Sequence, residues 1–538
     1  MKTTTARKDI DAPPPQGTAV PRGFLAYLVV TAVVCGALVM VIEVLGSRVI
    51  GPFFGASLFV WTSLITVTLV ALAAGYAAGG VLADRKGSPD WLFGIILAAG
   101  ILALCIPLLK GPVLRATMSW GLRSGAFASS FALFGPALFL LGCVSPYLVR
   151  LAARELRNIG RTVGVFYALS TAGSFLGTVL TGFLLIALFR VTTVFLVVGI
   201  VLIGLAAGYF VLFRRSGAAL VALLLPLLLV PDQAPVAKVL ANGTTLTEQF
   251  RKDTYYGSLR VVDYSYGVER HREMMIDGLV QGGMDMNDRL PIYEYLYFVE
   301  FLAYGTNPRG KTCLVMGLGA GLIPRWFEER GVRTDVVDID PAVVSAARQY
   351  FGLAVTGDVV VADARYFLNT TAKRYDYIVL DVFSGESTPA HMLSVEALTL
   401  VRRRMADRGV LAINLIGSLG EDRYMTASVV RTLERVFGTV VVYPNFEPSA
   451  GNGRGNITLI AHDGGLPAFD RALVARFPVH PLARPGLERN LGRAYRMPDD
   501  APAVILTDEY NPADFYDTGL KEWVRQMIWT NIDHDVLI

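Results

Sequence analysis

Three aspartates and one glycine run carry most of the chemistry this sequence offers. Thr312–Asp340 reads TCLVMGLGAGLIPRWFEERGVRTDVVDID. The apolar run Cys313–Met316 fits a buried parallel strand, and Gly317, Gly319 and Gly321 follow it directly. Glycines so placed let the backbone turn sharply and let a ligand come within contact distance. Leu322–Arg330 then reads as a helix ended by Gly331, and its first amides face the loop, where they can hold an anion or a carboxylate. Val336–Val337 is a second strand with Asp338 at its carboxyl end. An acid about 20 residues beyond such a loop can accept hydrogen bonds from ribose hydroxyls. Asp363 and Asp381 close two later predicted strands, Val359–Val361 and Tyr377–Leu380. Open α/β sheets bind ligands at the carboxyl ends of their strands, so three acids on one edge point to ligand contact rather than surface solvation.

The glycine spacing narrows the ligand. The dinucleotide pattern G-x-G-x-x-G needs glycine at position 322, where Leu322 stands. The spacing present, G-x-G-x-G, is more typical of adenosylmethionine-type sites. A glycine loop alone can be a plain tight turn; the linked acids give this one its weight.

These residues occupy only part of the chain. Its 538 residues exceed one ordinary domain, and 53% hydrophobic content with a mean hydropathy of +0.48 is far from a soluble average. The net charge of +4 is small, and the basic residues lie mostly between apolar runs, which argues against a nucleic-acid partner and for topology-setting loops. Cys35, Cys105, Cys143 and Cys313 have neither metal nor disulfide spacing, so they read as small core hydrophobes and no metal is expected.

Residues 1–22 are polar and proline-containing and read as a disordered tail. Long apolar segments follow at 24–45, 57–83, 91–109, 125–149, 162–189 and 191–213, each near the ~20 residues that span a bilayer. A seventh run, Ala218–Val230, is short for a crossing. Lys2, Arg7, Lys8 and Arg22, then Arg85 and Lys86, then Arg150, Arg154, Arg157 and Arg161, then Arg214 and Arg215 mark one face. The positive-inside rule puts that face, with the amino terminus, in the cytosol. Six crossings leave the C-terminal half cytosolic; seven put it outside. Glu43 lies within the first span, where an ionisable group costs about 2.5–3.5 kcal/mol, and it reads as snorkelling or as pairing with Arg48. Gly75, Gly79 and Gly80, and again Gly173 and Gly177, have the spacing for close helix packing.

In the C-terminal half, 231–250 reads as a linker. Tyr255–Asp263 and Glu273–Gln281 alternate as strands around a Tyr266–Gly267 turn. Pro291–Tyr304 reads as an aromatic-rich helix. An α/β rhythm follows, with helices at 341–350, 394–405 and 421–437, strands at Val410–Leu415 and Thr439–Tyr443, and a closing antiparallel strand, Asn456–Ala461.

The ordered motifs resemble those of spermidine synthase in its membrane-fused bacterial form. They are EVLGSRVIGPFFGASLFVWTSLI and GYAAGGVLADR in the apolar half, then YGSLRVVD, MIDGLVQGG, GLGAG, VVDIDP, ADARYF, YIVLDVFSG and LTDEYNP. The expected architecture is a multi-span α-helical membrane domain fused to an α/β Rossmann-like domain of the class I methyltransferase type, with a small N-terminal β-layer. Its expected divisions are a tail (1–22), membrane domain (23–231), linker (232–250), β-layer (251–290) and catalytic domain (291–538).

For the donor, the resemblance implies that Gly317, Gly319 and Gly321 approach it, Asp338 holds the ribose, and Asp363 with Ala364 contacts the adenine. It also implies that Asp381 sits beside the sulfonium and Gln281 near the donor. For the acceptor, the match departs from the family. Ala320 stands where the family has an acid that attracts the donor's ammonium. Ser384 stands where it has a second aspartate, the proton acceptor. Glu294 and Gly257 each replace a glutamine. Alanine at 320 removes the discrimination between decarboxylated S-adenosylmethionine and S-adenosylmethionine itself. Glu386, Asp508, Glu509 and His391 are candidates for the missing base, and Tyr293 for the acceptor pocket.

The implied activity is aminopropyl transfer from decarboxylated S-adenosylmethionine to an amine or polyamine such as putrescine. The alternatives are methyl transfer from S-adenosylmethionine to a small or lipidic acceptor, and a transporter or sensor that binds without turnover. The implied setting is a bacterial inner membrane, with the lipid bilayer as partner. A donor of this kind favours a cytosolic catalytic half; the seventh run leaves the periplasmic face open. Soluble relatives form dimers or tetramers, so a homodimer is one expected assembly.

Overall fold

Small residues set how the N-terminal helices meet. The computed structural model describes residues 22–55, 58–153, 159–216, 221, 224, 235–449 and 453–537. The tail before Arg22 and nearly all of the seventh apolar run lie outside the described residues. Among the described residues, six helices are long and apolar enough to cross a membrane. They are α1 (Arg22–Phe54), α2 (Leu58–Arg85), α3 (Pro89–Met118), α4 (Leu122–Ala153), α5 (Ile159–Leu180, continued to Leu188 through a π turn) and α6 (Val191–Arg214). Gly75 and Gly79 lie against α4, where a Cβ would run into the Phe139 carbonyl and the Cys143 backbone, and Gly173 and Gly177 lie likewise against α1. Gly80 faces open space. Small residues on facing helices let backbones approach closely. Helix α1 runs well past the expected 24–45 because its last turns are buried, with Ile50, Phe53 and Phe54 fully enclosed. Arg48 makes no ion pair with Glu43 among the described residues. Its guanidinium donates instead to the Tyr255 carbonyl, which ties α1 to the layer that follows.

That layer is a five-stranded antiparallel meander, β1 (Ala237–Val239), β2 (Thr245–Asp253), β3 (Ser258–Tyr266), β4 (Glu269–Ile276) and β5 (Leu279–Asp285). The expected linker 232–250 therefore contains β1 and the first six residues of β2. Buried Glu248 pairs with buried Arg260 at 3.1 Å and breaks the apolar alternation that would have revealed β2. The expected strand Glu273–Gln281 is split by a two-residue turn: Asp277 (φ 48°) and Gly278 (φ 77°) take the left-handed conformations an Asp-Gly hairpin needs.

Helix α7 (Glu294–Thr306) leads into a seven-stranded sheet of order β11-β12-β10-β9-β6-β7-β8. Its strands are β6 (Thr312–Met316), β7 (Arg333–Asp338), β8 (Val359–Val361), β9 (Tyr375–Leu380), β10 (Met405–Ser418), β11 (Thr439–Pro444) and β12 (Arg454–His462). β8, β7, β6, β9 and β10 run parallel; β12, expected to close the sheet, instead inserts antiparallel between β10 and the edge strand β11. Crossover helices α8 (Leu322–Glu328), α9 (Pro341–Phe351), α10 (Ala364–Thr370), α11 (Val395–Arg403) and α12 (Tyr424–Val436) cover it. A late helix, α13 (Thr518–Asn531), returns to the N-terminal bundle. Val524 and Ile528 join the bundle's buried cluster, and Trp529 Nε1 donates to the Phe53 carbonyl at 2.7 Å.

Candidate active site

The loop between β6 and α8 is shaped by close backbone approach. Gly317 (φ 84°) and Gly319 (φ 50°) are left-handed, and a Cβ would run into the Asp381 carbonyl at the first and the Gln281 carbonyl at the second. The loop is thereby clamped between the ends of β9 and β5. Gly321 caps α8 one step behind, outside the cavity the other two line. Asp338 organises the loop. Its Oδ2 accepts from the Leu318 amide and its Oδ1 from the Asp340 amide, both at 2.8 Å, and each oxygen keeps a further lone pair. Burial pushes the Asp338 carboxyl above the usual range.

A cavity of about 870 Å³ runs along this rim. Gln281, Gly317, Gly319, Asp338, Asp363, Ala364 and Asp381 line one side. Asp363 caps α10 through Oδ1, which accepts from the Tyr366 amide, while its Oδ2 lies 3.4 Å from His391 Nε2. The opposite wall comes from the apolar bundle: Val44, Ser47, Arg48, Leu58, Val60, Trp61 and Ile186. Sequence reasoning assigned none of these a site role, although EVLGSRVIGPFFGASLFVWTSLI, among the resembling motifs, contains six of the seven.

A second cavity, of about 380 Å³, lies beyond Asp381 and shares Leu279, Gln281, Gly319, Asp381 and Phe383 with the first. Asp381 stands at the junction. Its Oδ1 accepts from Asn414 Nδ2 at 2.8 Å, and Asn414 Oδ1 accepts from Asn456 Nδ2 at 3.0 Å. Burial pushes the Asp381 carboxyl up to about 6, against the pull of the Asn414 bond. Asn414 was missed in the sequence, although a lone amide in the apolar run VLAINLIG was a usable signal. Tyr293 lines the second cavity and donates its hydroxyl to buried Glu273, whose carboxyl burial raises to about 7. Tyr295 lines the same space.

Two expected acids are held by arginines, and of the two only Glu386 lines the first cavity. The Glu386 carboxylate is buried and engaged by the Arg525 guanidinium, which also donates to the carbonyls of Pro52 at 3.0 Å and Asp277 at 2.8 Å. Through Arg525 it ties the loop after β9 to α1 and α13 at the edge of the first cavity. Asp508 lines neither cavity. Arg365 grips both its oxygens, Ser394 Oγ donates to Oδ1 at 2.6 Å, and the Arg365 bond holds its carboxyl below the usual range. Asp508→Asn is therefore expected to change kcat less than about threefold, as for an exposed ion pair, when steady-state rates are compared. Glu509 lines neither cavity, and Ser384 lines the first without adding an acid. Ala320 is buried against Gly282. Asp285, Asp288 and His480 bring metal-ligating atoms together, but none of the three lines either cavity.

Around an anion-capable loop and a buried carboxylate between two spaces, the arrangement can bind a cationic nucleoside and admit a nucleophile from the far side. The spermine/spermidine synthase domain family matches residues 300–463. A polyamine aminopropyltransferase of Vibrio vulnificus is 33% identical over 222 residues, which cover 39% of this chain and 70% of that protein. An N-terminal histidine N-methyltransferase of Emericella nidulans is 33% identical over 211 residues, 35% of this chain and 37% of that protein. The chain thus spans little more than a third of the latter's length. A solved structure of a probable spermidine synthase from Corynebacterium glutamicum is 21% identical, covers 43% of this chain and 81% of its own, and has a TM-score of 0.37. The C-terminal half is an enzyme domain of aminopropyltransferase/methyltransferase type, joined to six apolar helices. Through that half the chain belongs to the spermidine synthase (polyamine aminopropyltransferase) family.

Proposed function

We propose that the chain is a membrane-held aminopropyltransferase that uses decarboxylated S-adenosylmethionine and an amine acceptor. The observation that carries this reading is Asp381 at the meeting of two cavities. In-line displacement at a carbon needs the leaving sulfur on one side and the nucleophile on the other. In this reading the adenosine lies in the larger cavity, its ribose on Asp338 and its adenine by Asp363 and Ala364. Gly317 and Gly319 let the donor close on the loop, and Gln281 flanks it. Asp381 steadies the sulfonium. The acceptor nitrogen forms a bond to the propyl carbon, the carbon–sulfur bond breaks with its electron pair going to sulfur, and neutral methylthioadenosine leaves. The nitrogen then gives up one proton. With Ser384 in place of the family's acid, Tyr293 and Glu273 are the pair to receive it, because a carboxyl near 7 suits a base at neutral pH. Glu273→Gln is expected to lower kcat about 10²-fold with little change in donor affinity. Equal loss in single-turnover rate and in donor binding would contradict it.

In the same reading the six helices cross a bilayer, and α1 and α2 close the donor cavity from the membrane side. A second reading, methyl transfer from S-adenosylmethionine, is favoured by Ala320, which leaves no acid to select the donor's ammonium. Thermal shift of the purified full chain separates the two. Stabilisation by decarboxylated S-adenosylmethionine and methylthioadenosine supports aminopropyl transfer. Stabilisation by S-adenosylmethionine alone overturns it in favour of methyl transfer.

A further inference from the structure

We infer that the acceptor is an amine with a single cation whose remainder is uncharged and largely apolar, rather than a diamine charged at both ends. This rests on the transferase reading above and names its acceptor class.

The acceptor cavity has two unlike sides. Asp381 is the only acid lining it among the described residues; its other polar groups are amides and the hydroxyls of Tyr293 and Tyr295. A short diamine is doubly protonated at neutral pH. Once its reacting end is placed at Asp381, its far ammonium would meet no second carboxylate among the described residues that line this space, and a charge drawn from water without a partner is costly. The wall that α13 and the residue after it contribute is mainly apolar instead: Val524, Met527, Ile528 and Ile532 line the cavity there, with Asn531 as the one polar group among them. A second observation extends that wall. Val524 and Ile528 belong to the buried cluster of the six-helix bundle, and Leu279, Ile416 and Ile532 pack against it. An alkyl chain leaving Asp381 would therefore run along α13 toward the bundle, where burying each CH₂ is favourable.

Such an amine can come from water or from the bilayer, and the test separates the two. The full chain, reconstituted in phosphatidylcholine vesicles, is given decarboxylated S-adenosylmethionine with n-hexylamine, dodecylamine or putrescine. Methylthioadenosine and the aminopropylated product are followed by mass. The expected result is a kcat/KM at least about tenfold higher for an alkylamine than for putrescine. Hexylamine leading assigns the source to water, and dodecylamine leading assigns it to the bilayer. Putrescine equal to or better than both overturns the acceptor class and leaves the transferase reading standing. No methylthioadenosine from any acceptor ends both. A second arm uses Asn531→Asp, which sets a carboxylate at the outer end of α13. It is expected to shift the putrescine-to-hexylamine ratio of kcat/KM upward by about tenfold. An unchanged ratio contradicts the charge argument.

Discussion

Asp381→Asn is expected to lower kcat/KM by about 10²–10³-fold, the loss seen when one pre-placed electrostatic partner of a reacting centre is removed. The replacement keeps the shape and can still accept from Asn414, so the loss isolates the charge. The pH dependence has a definite sign. Burial holds the free Asp381 carboxyl near 6. Below that value it takes up a proton, and binding of a cationic sulfonium must first remove it. Donor affinity should therefore fall about tenfold per pH unit below 6 and be flat above. Methylthioadenosine is a neutral thioether and should lack this step, as should donor binding to Asp381→Asn. The linkage to folding runs the other way. A carboxyl whose folded pKa is raised from 3.8 to about 6 weakens the fold progressively as pH climbs between those values, by an amount then constant above. The asparagine variant should accordingly be at least as heat-stable as the parent at neutral pH. Calorimetric titration at several pH values, beside melting curves, checks both halves.

The buried pair Glu386–Arg525 gives the second large effect. Arg525→Met strands a buried carboxylate and should cost about 3–5 kcal/mol of stability. Glu386→Leu with Arg525→Met removes both charges and should regain most of it, because well-packed apolar replacements of a buried pair are often neutral or better. The same double variant decides the role of Glu386. A structural tie predicts turnover within about tenfold of the parent, whereas a lost base would cost about 10²–10⁴-fold. Melting temperature and single-turnover rate are the two readouts.

What the sequence made legible was local. Asp338, Asp363 and Asp381 each follow a short apolar run, so strand periodicity alone put them on one rim. The left-handed glycines announced themselves by type and spacing. What escaped was set by residues distant along the chain. Glu386 follows Asp381 in the same loop, which makes it a candidate base on sequence, yet its carboxylate is held by Arg525, 139 residues away. Asp508 is a candidate by its motif, and Arg365, 143 residues away, holds both its oxygens. Strand β2 was hidden by a charged pair in a position that alternation reserves for apolar side chains. The wall that α1 and α2 give the first cavity is tertiary, and no periodicity within a helix reports what the helix leans on.

In the proposed function a sulfonium nucleoside lies along Gly317, Gly319, Asp338, Asp363 and Asp381 with its sulfur at the junction of the two cavities. The direct measurement is a structure of the full chain bound to methylthioadenosine. Ribose hydroxyls are expected within hydrogen-bond distance of Asp338, the adenine beside Asp363, and the sulfur facing Asp381 with the second cavity open behind it. A nucleoside bound elsewhere, or bound with its sulfur turned toward α1 and α2, would contradict it.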